Sequence, residues 1–234
     1  MKVNVSLPRR LVAEALGTGA LLAAVVGSGV MATKLTDDVA LQLLFNAAST
    51  VAALGVLIYC LAPVSGAHFN PAVTAVELAQ RRIPATHASG YVVAQISGAV
   101  LGTAVAGLMF DLPAWTLSTT ERSSSGVWLG ELVATAGLIF IIAALTRGPF
   151  DHARTLNVVA ILIPAWIGAA YLFTSSTSFA NPAVTIARSL TDTFTGIAPD
   201  DVPAFIAFQL VGAAFGLSLA LLFYPSSQRL RKVE

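Results

Sequence analysis

The sequence has few charged residues and almost no cysteine. Only 11% of its 234 residues are charged, and a single cysteine, Cys60, excludes an internal disulfide. The sequence contains no Cys/His cluster with metal-ligand spacing, no phosphate-binding loop and no serine-hydrolase motif. A formal net charge of +1 gives no electrostatic basis for binding nucleic acid. These absences predict a protein that is not an enzyme, needs no cofactor or metal, and has no nucleic-acid partner.

Apolar residues make up 56% of the chain and are grouped in long runs. A helix needs about 20 such residues to cross a bilayer, and six runs are long enough. We place the spans at residues 11–33, 39–63, 86–110, 126–145, 156–173 and 202–224. The first run follows a basic start but is too long for a signal peptide. The sequence therefore predicts an all-α, polytopic membrane protein with the lipid bilayer as its surroundings.

One short motif occurs twice between these spans. The residues Asn-Pro-Ala-Val-Thr stand at 70–74 and again at 181–185. Asparagine is a preferred helix N-cap, and proline suits the first helical position. Each copy therefore predicts a helix start within a re-entrant segment, with half-helices over 70–80 and 181–191. About ten residues span roughly 15 Å, half a bilayer, so two half-helices entering from opposite faces would meet at the midplane.

The opposed helix ends have a predicted use. Each asparagine oxygen caps its own helix, which leaves the NH₂ groups of Asn70 and Asn181 to donate to a small polar solute. Each helix N-terminus also carries about half a positive charge, so the pair repels cations. Helix capping in an ordinary core would explain one copy of the motif, whereas two copies in matching contexts favour a pore.

The two halves of the chain repeat each other. Acidic residues stand near the starts of spans 1 and 4, and a glutamine recurs within spans 3 and 6. Three spans per half is an odd number, so the second half must insert upside down. We predict a first repeat over 1–110, a connecting loop over 111–125 and a second repeat over 126–234.

The two acids, Glu14 and Glu131, lie inside apolar spans. Acids in such places are functional candidates, and a transporter would use them for proton coupling. Their symmetric placement favours a structural role, in which each accepts hydrogen bonds from re-entrant backbone that has no helical partner.

Lysine and arginine are divided unevenly between the two sides of the membrane. Only Lys34, Arg122 and Arg188 fall on one side, and the other ten of the 13 fall on the side of the termini: Lys2, Arg9, Arg10, Arg81, Arg82, Arg147, Arg154, Arg229, Arg231 and Lys232. The positive-inside rule therefore predicts a cell-membrane protein with both termini in the cytoplasm. We expect Arg188 to reach the outer headgroups, with a place at the outer mouth as the alternative.

Through these residues the chain resembles the aquaporins of the major intrinsic protein family. The resemblance covers nearly the whole chain and rests on the acid of each half, on 65–74 and on 181–183. It implies six spans and two half-helices around one pore per subunit, a homotetramer, and passive conduction of water or small uncharged solutes. It also implies a pore centre at Asn70, Pro71, Ala72, Asn181, Pro182 and Ala183. Pore-lining carbonyls are implied at Gly66, Ala67, His68, Thr177, Ser178 and Phe179.

The chain departs from the family pattern after the second motif. The family usually places a filter arginine where this sequence has Val184, and counting from the motifs assigns the other filter positions to Thr50, Ala169 and Ser178. Such a filter has no aromatic ring and no charge, and we expect it to be wide. In having valine at this position, the chain resembles the bacterial aquaporins found with arsenic-resistance genes. This resemblance implies that glycerol, arsenous acid and methylated arsenicals pass through the pore. A water-selective aquaporin and an ion-coupled secondary transporter remain the alternatives.

Overall fold

The computed structural model describes residues 5–148 and 152–225, and side chains over 5–148 and 156–225. Within these ranges the chain is helical, without strands. The α-helices are α1 (Leu7–Leu35), α2 (Val39–Ser65), α3 (Pro71–Ala79), α4 (Ala85–Met109), α5 (Ser125–Arg147), α6 (His152–Phe173), α7 (Pro182–Arg188) and α8 (Val202–Phe223), with a 3₁₀ turn at Pro199–Asp201. Six of the described helices are long and apolar enough to cross a membrane, and each contains or nearly matches one predicted span.

The short helices begin where the motifs predict, but the second one ends early. Helix α7 stops at Arg188 rather than at 191. The chain turns there because the Ser189 hydroxyl donates to the Ile186 oxygen at 2.7 Å. The N–H of Ile197 then donates back to the Arg188 oxygen at 3.3 Å, which folds the following loop over the helix end.

Helices α1 and α4 pack closely in the first half, as do α5 and α8 in the second. Glycines four residues apart permit the close approach in each pair. A Cβ at Gly98 or Gly102 would lie 2.1 or 2.0 Å from a backbone oxygen of α1. A Cβ at Gly212 or Gly216 would lie 2.4 or 2.1 Å from a backbone oxygen of α5. The two halves are therefore built in the same way.

The halves join through α2 against α6 and through the two short helices, whose N-terminal ends meet. We call the side that carries the α4–α5 connection the loop face, and the side of the α1 start and the α8 end the terminal face. On the loop face the connection is tied to the segment after α7: Thr116 and Ser118 donate backbone N–H groups to Leu190 and Ser189, each at 3.0 Å. Of the basic residues predicted on the terminal side, Lys2, Arg229, Arg231 and Lys232 lie outside the described residues, as does the side chain of Arg154.

Candidate functional site

Both short helices are capped by the asparagine of their motif. The Asn70 Oδ1 accepts from the N–H of Ala72 at 2.9 Å. The Asn181 Oδ1 accepts from the N–H groups of Ala183 and Val184 at 3.0 and 3.3 Å. Proline follows each cap at the first helical position, where no N–H is needed.

The two caps are also joined to each other across the halves. The Asn70 Nδ2 donates to the Ala180 oxygen at 2.8 Å, and the Asn181 Nδ2 donates to the Phe69 oxygen at 2.7 Å. An amide nitrogen has two N–H donors, so each cap keeps one that the bond across the halves does not use. The sequence pattern did not predict this reciprocal pair, which halves the donors that it assigned to the pore.

The backbone that leads into each cap is strained. Five residues other than glycine have φ between 48° and 59°, the left-handed region that most side chains avoid: Ala67, Phe69, Thr177, Ser178 and Ala180. Such conformations cost about 1–3 kcal/mol each and persist only where the surroundings hold them. The strained segments therefore need firm support.

Glu14 supplies that support in the first half. Its two oxygens accept from the N–H groups of His68 and Phe69 at 3.0 and 2.7 Å. The Ser65 hydroxyl and the Gln95 amide also donate to it, at 2.6 and 2.8 Å. The carboxylate is fully buried and engaged with re-entrant backbone.

Glu131 has the same place in the second half. It accepts from the N–H groups of Phe179 and Ala180, each at 2.8 Å, and from the Gln209 amide at 2.6 Å. Neither glutamate lines the cavity described below. Both positions suit a structural acid better than a proton carrier.

A threonine links each glutamine to its cap. Gln95 donates to the Thr74 hydroxyl at 3.0 Å, and Gln209 to the Thr185 hydroxyl at 2.8 Å. Each hydroxyl donates to the backbone oxygen of the cap asparagine in its own half, at 3.1 and 2.9 Å. The chain acid–glutamine–threonine–asparagine therefore occurs twice around the meeting point of α3 and α7.

A cavity of about 420 Å³ runs between the halves past the two caps. Most of its wall is aliphatic, from α1, α2, α5 and α6. Several residues assigned to the pore from the sequence line it: Thr50, Gly66, Ala67, His68, Asn70, Ser178, Phe179, Asn181 and Val184. Others do not: Pro71, Ala72, Ala169, Thr177, Pro182 and Ala183. The prolines and alanines of the motifs are buried behind the caps and shape the helix starts.

Ala169, which the sequence assigns to the filter, does not border the cavity, and Tyr171 lines the wall there. Helix α6 faces the cavity with Leu156, Val159, Ile163, Ile167 and Tyr171, which are three or four residues apart and share one helical face. Ala169 lies on another face and is exposed. The Tyr171 side chain is only 3% exposed, and its hydroxyl lies 3.5 Å from the Thr50 hydroxyl. The aliphatic stripe of α6 was the sequence signal that identifies Tyr171.

On the terminal-face side of the caps, an aromatic pair supports the cavity wall. The His68 Nδ1 lies 3.0 Å from the Thr74 hydroxyl, and its ring meets the Tyr91 ring edge to face at 5.1 Å. The Tyr91 hydroxyl donates to the Ser65 oxygen at 2.7 Å and accepts from the Arg10 Nε at 2.6 Å. This wall is polar and anchored by hydrogen bonds.

On the loop-face side, Arg188 is buried and does not border the cavity, which differs from both expectations for it. Its side chain is 2% exposed, and its Nε donates to the Thr195 oxygen. The guanidinium carbon lies 3.4 Å from the ring centroid of Phe179, a residue that borders the cavity. The loop that folds back after α7 covers the arginine, and the sequence pattern did not indicate this return of the chain.

Arg122, in the α4–α5 connection, approaches the same ring. Its guanidinium carbon lies 5.2 Å from the Phe179 centroid, and its Nε donates to the Gly196 oxygen at 2.7 Å. Burial lowers the pKa of the Arg122 guanidinium, with the charge of Glu131 acting the other way. Across the described residues, no group of three His, Cys, Asp or Glu side chains could hold a metal ion.

Comparison with known proteins gives a consistent result. The major intrinsic protein family model matches residues 1–180. Aquaglyceroporin AqpS of Rhizobium meliloti is 51% identical over 213 residues, which cover 91% of this chain and 89% of that protein. The glycerol uptake facilitator protein-like 6 of Lactiplantibacillus plantarum is 34% identical over 148 residues, covering 62% and 65%.

The fold has a solved counterpart. The X-ray structure of the aquaglyceroporin from Plasmodium falciparum superposes with a TM-score of 0.71 at 21% identity, covering 98% of this chain and 100% of that one. The likeness confirms the predicted fold class, six spans with two re-entrant half-helices. Together with the family match over most of its length, it leads to one assignment: the chain belongs to the major intrinsic protein family and is a membrane channel, not an enzyme.

Proposed function

We propose that this channel has a wide filter formed by Thr50, Tyr171, Ser178 and Val184, and that it passes glycerol and arsenous acid as well as water. The observation that carries the proposal is the place of Val184. It lies in the first turn of α7, only 5% exposed, and its side chain borders the cavity. Two methyl groups thus stand where the family resemblance implies a guanidinium, so the side chain at this position adds neither charge nor length. Tyr171 does bring an aromatic ring to the filter, contrary to the expectation of none.

The proposed filter is polar on one side and apolar on the other. Thr50, Tyr171 and Ser178, which border the cavity on one side, are hydroxyl-bearing residues, and Val184 brings methyl groups. The Ser178 hydroxyl is buried and has no partner among the described residues. The Thr50 and Tyr171 hydroxyls of this wall can donate to or accept from a neutral solute. Small polyols and As(OH)₃ carry such hydroxyls and are uncharged at neutral pH.

At the centre we propose that the remaining N–H donors of Asn70 and Asn181 bind the passing solute. Backbone oxygens of Gly66, Ala67, His68, Thr177, Ser178 and Phe179 serve as acceptors on either side. The support is their position: all of these residues except Thr177 line the cavity. Alternating donors and acceptors replace the hydration of a small neutral solute at low cost.

We further propose a cell-membrane location with the terminal face in the cytoplasm, and a homotetramer with one pore in each subunit. Arg9, Arg10, Arg81, Arg82 and Arg147 all belong to the terminal face, which supports this orientation. The family assignment supports the tetramer. The first and second repeats, 1–110 and 126–234, enclose the pore between them.

The test compares three solutes in proteoliposomes containing purified protein. We expect stopped-flow traces to show faster entry of water, glycerol and arsenous acid than in empty liposomes. We expect Val184→Arg to retain part of the water permeability and to lower glycerol and arsenous acid flux by about tenfold, because the longer side chain narrows the filter. Val184→Leu, which adds bulk without charge, is the matched control. Native protein that passes water alone would make the channel water-selective and overturn the proposal.

A further inference from the structure

We propose that Arg188, with Arg122 beside it, repels cations from behind the cavity wall and so replaces the charge that is missing at Val184. This inference rests on the proposed function, because only an open, arginine-free filter needs a second source of cation exclusion. It assigns a selectivity role to two residues that do not line the cavity and do not touch the solute.

The geometry places a positive charge against the ring of a residue that borders the cavity. Phe179 borders the cavity, and the Arg188 guanidinium lies against its ring with the carbon 3.4 Å from the centroid. The Arg122 guanidinium lies 5.2 Å from the same centroid. The electron-rich face of an aromatic ring attracts a cation, so Phe179 holds both charges next to the passage.

The charge of Arg188 is not neutralised by an ion pair. Among the described residues, the one salt bridge joins Arg82 and Glu77 on the terminal face. Arg188 instead binds a backbone oxygen through its Nε, and its buried Nη1 has no partner within the described structure. A buried donor left without a partner is costly and calls for an explanation.

Two acids lie near this wall, and neither binds a guanidinium. Glu131 is engaged with the backbone N–H groups of Phe179 and Ala180. Asp201 accepts the backbone N–H of Arg122 at 2.6 Å and is only partly buried, so solvent screens its charge. The arginine behind the ring therefore acts on the pore with little screening, because the medium between them is apolar protein.

A purely structural role for Arg188 is the competing explanation. Its Nε bond to the Thr195 oxygen fastens the loop after α7, and that bond alone could account for burial. The two roles differ in what a lysine would do. Arg188→Lys keeps the charge but loses the planar fork, whereas Arg188→Gln keeps a donor and loses the charge.

The experiment measures K⁺ and H⁺ leak in the same proteoliposomes that are used for water and glycerol flux, with voltage- and pH-sensitive dyes. We expect Arg188→Gln to raise cation leak by about tenfold and Arg122→Gln by less, because Arg122 is farther from the ring. Arg188→Lys should stay close to native, and neutral-solute flux should change little in any of them. Lys34→Gln is the matched control, since Lys34 also lies over a ring on the loop face, 5.1 Å from the Phe110 centroid, but is exposed.

The outcomes separate the two proposals. Native-like cation exclusion in Arg188→Gln, or equal leak in the glutamine and lysine variants, overturns the role of charge. If Arg188→Gln does not assemble, the leak of Arg122→Gln decides the question. A cation leak in Arg122→Gln that stays at the native level would then overturn the proposal that the two arginines act together on cations. In each preparation the cation leak is compared with the water permeability, and this comparison does not depend on glycerol flux. Failure of native protein to pass glycerol would therefore refute only the wide filter.

Discussion

The two halves of the channel have matching ring pairs beside their asparagine caps, but the chemistry of those rings differs. His68 and Phe179 each stand two residues before their asparagine, and each meets an aromatic ring edge to face. The centroid distances are 5.1 Å to Tyr91 and 5.0 Å to Phe205, with interplanar angles of 62° and 65°. The repeat therefore extends to the rings that support the cavity wall.

The chemistry of these matched pairs is different. In the first half the supporting ring has a hydroxyl, which binds the Ser65 oxygen and Arg10. In the second half the supporting ring has none, and the arginine lies on Phe179 itself. The two halves therefore share the shape of the centre, whereas the side chains on its two sides differ in chemistry.

The strongest test of the shared centre removes its acids. We expect Glu14→Gln and Glu131→Gln each to lower the free energy of unfolding by about 2–4 kcal/mol, because the amide presents a donor to buried N–H groups. Thermal unfolding in detergent measures both. Similar losses of stability in the two variants would support equivalent roles for the two acids. A loss of stability in only one variant would show that the two halves are not equivalent. Exposed Glu121→Gln is the control.

A second test removes one cross-repeat donor at a time. Aspartate still caps a helix but cannot donate from its ionised carboxylate, so Asn70→Asp and Asn181→Asp each lose the bond to the other half. We expect glycerol flux to fall by about tenfold in both, with weaker cation exclusion, since a negative charge opposes the helix-end field. The control is Asn46→Asp, an asparagine on α2 that lies outside the cavity. Unequal effects in the two halves would contradict a symmetric centre.

A third test concerns the side on which the halves differ. Shortening Tyr171 to alanine should widen the loop-face filter and raise the flux of a four-carbon polyol relative to glycerol by about threefold, because sterics limit the larger solute. Ala169→Val, on the exposed face of α6, should leave both fluxes unchanged. If the Ala169 variant changed solute flux and the Tyr171 variant did not, Ala169 would be the filter residue, as counting from the motif assigned it.

The smallest expected effect is a gain of mercury block. Ala67 and Ser178 each stand three residues before their asparagine, and both line the cavity. We expect Ala67→Cys and Ser178→Cys to make water flux sensitive to mercuric ion. The native channel should resist it, because exposed Cys60 does not line the cavity. Block of native protein that disappears in Cys60→Ser would show that α2 controls access.

Much of this architecture could be predicted because its signals are local. Six apolar runs gave six helices, and each Asn-Pro pair gave a helix start, since capping depends on neighbouring residues alone. Tyr171 was missed because a fixed count from the motif ignores which helical face a residue occupies. Arg188 was misplaced because its partners, Phe179 and Thr195, come from turns whose paths depend on the whole fold.

The reciprocal asparagine bonds have a consequence for biosynthesis, because they join residues 110 and 112 positions apart in the chain. At about 5–20 residues per second, the ribosome completes the second partner roughly 5 to 20 s after the first. Through that interval the Asn70 amide and the Phe69 carbonyl have no partner from the second half, and hydrocarbon penalises such groups severely. We expect the first re-entrant segment to wait near the membrane surface, and the two segments to enter the bilayer together as one late step of assembly.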